Sequence, residues 1–155
     1  MKSIIGKVVV TLFAALYGFS FLMDTGFVPS DRVQTHSEIA DKHMDVLLTE
    51  GIIDQGEQIE HFYSEGLLSV REGGSILTDR RVIAYTEDAD DKLWILEFAF
   101  DEIVSIEQVQ EGTTFDYAVY EVIGEGEDNS LELWLPHENG DAARFVGALQ
   151  AKIGH

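Results

Sequence analysis

The sequence predicts an α+β chain: a seven-stranded antiparallel β-barrel or sandwich capped by a C-terminal helix and preceded by an apolar N-terminal helix and a linker helix. Three observations predict it. Short apolar runs recur from Glu57 onward, clusters of Gly, Asp, Glu and Asn separate them, and one amphipathic stripe, Phe145, Leu149 and Ile153, closes the chain. The 155 residues divide into an N-terminal element over 1–30, a linker helix over 31–54 and a domain over 55–155, since a single domain takes roughly 100–150 residues. With 45% apolar residues there is material for a packed core.

In the N-terminal element, Lys2 and Lys7 precede an uncharged run over 8–23 that ends at Asp24. Val8, Leu12, Phe13, Leu16, Phe19 and Leu22 make it a membrane segment, marginal against the roughly 20 residues a spanning helix needs unless Lys7 snorkels to the headgroups. The reading is a retained anchor. Its competitor is a cleaved signal peptide with Gly18 and Ser20 at the cut, but Phe19, Phe21, Leu22 and Met23 prolong the run past it. The lysines before the run favour an N-terminus in the cytoplasm with the domain outside it, the reversed topology being the alternative. Cleavage would leave a secreted or periplasmic protein.

Thr35-His36-Ser37-Glu38 has the form of a capping box. Ile39, His43, Met44, Leu47 and Leu48 follow at helical spacing, and Gly51 stands as terminator. Strands are predicted over 58–64, 67–71, 75–85, 93–100, 103–110, 115–123 and 131–135. Alternation is clearest where Trp94, Leu96, Phe98 and Phe100 share one face and where Leu131, Leu133 and Leu135 do. Glu72-Gly73-Gly74, the 87–91 acidic stretch, Glu111-Gly112-Thr113 and 124–129 read as turns. After Pro136, Asn139 or Asp141 caps the last helix, with Val146 beside its stripe and Gly154 ending it.

The segment Gly73-Gly74-Ser75-Ile76-Leu77-Thr78-Asp79-Arg80-Arg81-Val82-Ile83-Ala84-Tyr85, set in this arrangement, resembles the bacterial pleckstrin-homology-like and GRAM-like domains. In those families a Leu-Thr-x-x-Arg stretch precedes a β-branched run ending in an aromatic. The stretch 57–64 followed by Gly66-Leu67-Leu68-Ser69-Val70 resembles their opening hairpin, and the similarity covers about residues 55–153. Lipid-binding members carry basic residues in the first hairpin loop, where this chain has Ser64-Glu65-Gly66. The resemblance therefore implies a protein-interaction scaffold, with phosphoinositide binding not expected.

Charge points the same way. The net charge is −19, and only Lys2, Lys7 and Asp24 among charged residues precede Ser30, leaving 28 Asp and Glu against 8 Lys and Arg beyond it. Nucleic acid, which needs a clustered basic footprint, is excluded as a partner. Cys is absent, so disulfides and thiolate chemistry are too. His36, His43, His61, His137 and His155 form no metal-binding spacing, and His36 and His43 on one helix would stand two turns apart. The acidic groups at 88–91 and 125–128 lack the calcium-loop frame. No nucleophile elbow, phosphate loop or dinucleotide fingerprint is present.

The expectation is a non-catalytic module with no cofactor and no bound metal, tethered to a membrane and contacting a protein partner or another copy of itself. Arg80 and Arg81 are the only adjacent basic pair. They read first as local structural pairs for nearby carboxylates, with Thr78 and Asp79 bonding backbone amides at a bend, and otherwise as an anchor for an anionic ligand. Trp94 and Trp134, with Tyr117 and Tyr120, read as core or as a contact surface. A small-ligand or cation-binding domain is the alternative, and a hydrolase built on two carboxylates is a third reading.

Overall fold

The computed structural model describes residues 28–113, 116–126 and 129–153. The predicted membrane segment lies outside these residues, and no helix among the described residues is long and apolar enough to cross a membrane.

Among the described residues seven strands form two antiparallel sheets. β1 (Ile59–Ser64), β2 (Gly73–Thr78), β3 (Arg81–Glu87) and β4 (Leu93–Ala99) lie in that order in the first; β5 (Ile103–Gln110), β6 (Ala118–Gly124) and β7 (Ser130–Leu135) make the second. The described strands form an open two-sheet sandwich; no pairing joins the sheets into a closed barrel. Helix α1 (Asp41–Thr49) precedes the strands and helix α2 (Asp141–Ile153) follows them.

Two expected strands are redrawn. The stretch 67–71 is a turn leading into a 3-10 turn at Val70–Glu72. Glu72 accepts the amides of Leu67, Leu68 and Ser69 at 2.8, 3.2 and 2.8 Å, and backbone satisfied by a side chain has no call on a sheet partner. The stretch 75–85 is a hairpin: Thr78 Oγ1 accepts the amides of Arg80 and Arg81 at 3.1 and 3.0 Å, which turns the chain so that Leu77 pairs with Val82 and Ile76 with Ile83. Gly73 and Gly74 are strand rather than turn. A Cβ on Gly74 would stand 2.5 Å from the Tyr63 carbonyl oxygen and 2.9 Å from the Tyr85 hydroxyl, so glycine is what lets these strands close up.

The first sheet is covered on both faces, which is why all six residues of β2 are buried. Between the sheets Leu77, Val82, Phe98, Val122, Leu131, Leu133 and Leu135 meet Ala142, Phe145, Val146 and Leu149 of α2. On the far face Ile39, Leu47, Ile52 and Ile53 pack over Ile59, Phe62, Ile76 and Ile83. The expected single linker helix is two pieces. The amide and hydroxyl of Thr35 both donate to Glu38, but only a 3-10 turn over His36–Glu38 follows before extended backbone at Ile39 and Ala40 restarts the chain as α1. Breaking there lets Ile39 drop into the core, and it separates His36 from His43. Gly51 ends the helical region at φ +70°, as expected of a C-terminal glycine.

The linker is also stitched to the body. Gln34 exchanges both backbone hydrogen bonds with Phe62 at 2.7 and 2.8 Å, and Val33 donates to Asp141 Oδ2 at 2.9 Å.

Candidate functional site

The two arginines of the turn have different fates. Arg80 is exposed, with Asp79 3.8 Å away as its ionic neighbour. Arg81 is used internally: its Nε and Nη2 donate to Glu57 at 2.9 and 2.8 Å, Asp54 lies at 3.4 Å, and Nη1 pairs with Glu97. The Glu57 side chain is fully buried and also accepts from Thr78 Oγ1 at 2.8 Å and from the Asp54 amide at 2.9 Å. Asp79 Oδ1 accepts the amide of Gln58 at 2.9 Å. This cluster fastens the start of β1 to the β2–β3 hairpin.

Burial alone would raise the Glu57 carboxyl, but the hydrogen bonds from Arg81, Asp54 and Thr78 outweigh it and hold the group at about 2. Its folded value is thus depressed below the ordinary 4.5. The stability this contributes is complete above the unfolded value and is lost as pH falls from there towards 2. Urea unfolding against pH should show this acid limb, and Glu57→Gln should flatten it; an unchanged limb in the variant would refute the assignment.

The two tryptophans do come together. Trp94 and Leu96 lie on the β4 face that carries Phe98 into the core, but β7 packs over β2 and β3, and they stay 52% and 57% exposed. Trp134, 38% exposed, projects outward from β7. Between β4 and β7 opens a cleft of about 490 Å³, lined by Trp94, Leu96, Ala84, Thr86 and Glu65 and by β7 from Ser130 to Glu132 and at Trp134. Each indole N–H is already held by a neighbouring carboxylate, Trp94 by Asp88 at 2.9 Å and Trp134 by Glu132 at 3.0 Å, so the rings are fixed and their faces are what remains. Lys92 Nζ sits 3.7 Å from the Trp94 ring centroid, and Tyr117 meets Trp134 edge-on at 6.3 Å. Tyr120 packs against the inter-sheet core.

Two carboxylates line this cleft, Glu65 and Glu132. Glu65 is exposed at the rim, and the protein packed around its carboxyl raises it to about 7. Ser75, the β2 partner of the cleft residue Ala84, has a buried hydroxyl with no hydrogen-bond partner among the described residues. From sequence Leu96 was named only for the strand face it shares with Trp94, and Glu65 only for its place in the first hairpin loop; neither was read as a site residue. The usable signal was the two-residue spacing of Leu96 from Trp94 on one strand face.

Elsewhere, Asp88 closes its turn by accepting the amides of Asp90 and Lys92 at 2.9 and 3.0 Å. Among the described residues no group of three or more His, Asp or Glu could hold a metal ion. His43 is buried and His61 half-buried against Phe145, and burial lowers both below the ordinary histidine value.

No family model matches the sequence, and no curated protein matches it. Solved structures do. A DUF1696 family protein with a pleckstrin-homology domain from Shewanella loihica PV-4 is 15% identical; the match covers 80% of this chain and 99% of that one at a TM-score of 0.54. The fold is pleckstrin-homology-like. A pleckstrin homology domain from Shewanella amazonensis SB2B, 16% identical, matches over 73% of this chain and 96% of its own at a TM-score of 0.51. In this chain's PH-like frame the first hairpin loop spends its amides on Glu72, and its one basic residue, Arg71, pairs with Glu50 at 3.1 Å and with Glu87.

Proposed function

We propose that this chain is a non-catalytic PH-like interaction module, tethered to a membrane by its N-terminal apolar segment, which holds a protein partner in the cleft between β4 and β7. The observation that carries the reading is the exposure of Trp94, Leu96 and Trp134 around one opening in an acidic molecule. Exposed indoles that are held rigidly and gathered in a concave site have the character of binding hot spots, because little rotamer freedom is lost when a partner covers them. The uncharged run over 8–23 supports the tether, and the lysines ahead of it support an extracytoplasmic domain.

The test places a photo-reactive aromatic residue at Leu96 of the full-length chain in its native host, with the same probe at exposed Val104 on β5 as control. A polypeptide adduct of defined mass from position 96 and none from 104 is expected, and Trp134→Ala should weaken the interaction at least about tenfold. Absence of an adduct, together with thermal stabilisation by calcium or a metabolite, would replace the reading with small-ligand binding. Glu65 and Glu132 in one cleft are the observation behind a second reading, hydrolysis. Turnover of a glycoside or ester panel that vanishes in Glu65→Gln would establish it.

A further inference from the structure

β7 is the last strand of its sheet. β6 pairs with it on one side, and among the described residues no strand pairs with it on the other. Residues from both faces of β7, Ser130, Glu132 and Trp134 on one and Leu131 on the other, line the cleft, and β6 fills the strand's other edge, so the free side is the one that borders it. An antiparallel edge turns the N–H and C=O groups of alternate residues outward, and a strand of this length offers about 20 Å of such backbone.

The opposite wall has the matching repeat. Trp94 and Leu96 are two residues apart on one strand face, so they stand about 7 Å apart, the interval at which an extended peptide presents successive side chains to one side. The rim is acidic, with Glu132 on the cleft and Asp88 behind Trp94; Glu65, whose raised carboxyl ionises fully once a cation lies beside it, adds to them, and the Trp94 ring already accepts a cation from Lys92.

We infer that the cleft takes an extended segment of a partner protein that pairs with the free edge of β7, buries alternate apolar side chains against Trp94, Leu96 and Trp134, and presents lysine or arginine to Glu65 and Glu132. The inference rests on the cleft being a protein-binding site and names the partner's chemistry. Charge decides against a second copy, since two chains of −19 repel, and against an acidic or phosphorylated segment, which would meet like charge at the rim. A docked helix would present anchors three and four residues apart and leave the β7 backbone unpaired.

The test titrates the full-length chain with three synthetic nine-residue peptides. One alternates lysine with valine and leucine, one carries glutamate in place of lysine, and one is the lysine peptide N-methylated at alternate amides. Tryptophan fluorescence reads affinity, and amide hydrogen exchange reads the β7 backbone over 130–135. The lysine peptide should bind at least about tenfold more tightly than the glutamate one, weaken as salt is raised, lose at least about tenfold on N-methylation and slow exchange along β7. Reversing the rim with Glu65→Lys and Glu132→Lys should invert the preference.

Equal affinity for the lysine and glutamate peptides, indifference to N-methylation or unprotected β7 amides would overturn the inference. So would an adduct from position 96 to residues 1–27 of the same chain, to a second copy or to an oligosaccharide. A partner adduct at 96 combined with equal peptide affinities removes this inference and leaves the binding-module reading standing. Absence of any adduct removes both.

Discussion

Arg81→Met should lower the free energy of unfolding by about 3 kcal/mol, because it strands the Glu57 carboxylate inside the protein without its cation. The methionine retains most of the arginine's apolar stem, so little of the loss comes from packing. Two hydrogen bonds into Glu57 vanish while those from Thr78 and the Asp54 amide persist, and two neutral donors offset only part of a buried charge. Converting both partners, Glu57→Gln with Arg81→Met, should return a large share of the loss, since the cost lies in the unpaired ion more than in the missing pair. Equilibrium unfolding in guanidinium with an unchanged slope is the measurement. A single-variant loss below about 1 kcal/mol would show that the cluster is as weak as an exposed ion pair.

Phe145→Ala should cost about 4 kcal/mol, in the range found for fully buried aromatic side chains. Phe145 is wholly inaccessible and lies with Ala142, Val146 and Leu149 on the side of α2 that closes the gap between the sheets. Its ring centroid is 6.0 Å from that of His61 on β1. Strands pinned by hydrogen bonds cannot collapse into the space a ring vacates, so the cavity term should be near its full value. Phe145→Leu should cost only about 1–1.5 kcal/mol. Leu68→Ala, in an exposed turn, should stay within about 0.5 kcal/mol and serves as the control. Comparable losses at Leu68 and Phe145 would mean that α2 does not close the core.

Legibility of the fold followed how local its causes were. The stripe on α2 and the Leu131, Leu133, Leu135 alternation could be read because Phe145, Leu149 and the three leucines are buried by their own elements' geometry, with Ile153 half-buried at the helix end. The 75–85 hairpin could not. Its reversal carries no glycine or asparagine, and what makes it is a threonine hydroxyl accepting two amides, a bond that reads equally well as a bend within one strand. The 67–71 turn was hidden for the opposite reason: its leucines and valine look like a strand, and the carboxylate that diverts their backbone stands at Glu72, outside the run.

The candidate site was half legible. Trp94 and Trp134 were visible as aromatics, but nothing local says whether a tryptophan on an alternating face is covered, since that depends on where the other sheet lies over it. Arg81 was read correctly as a partner for a nearby carboxylate, yet the particular one, Glu57, lies 24 residues away and could not be chosen from among so many acids.

The stitching of Val33 to α2 and of Gln34 to β1 decides how mechanical load would travel. Tension applied at Val28 does not stretch a slack leash before reaching the body. It arrives as shear along the outer strand of the first sheet and at the head of the closing helix, two elements joined through the same core. A tether attached there would orient the molecule as well as retain it, and a tug on the tether would be felt in the hydrophobic interior.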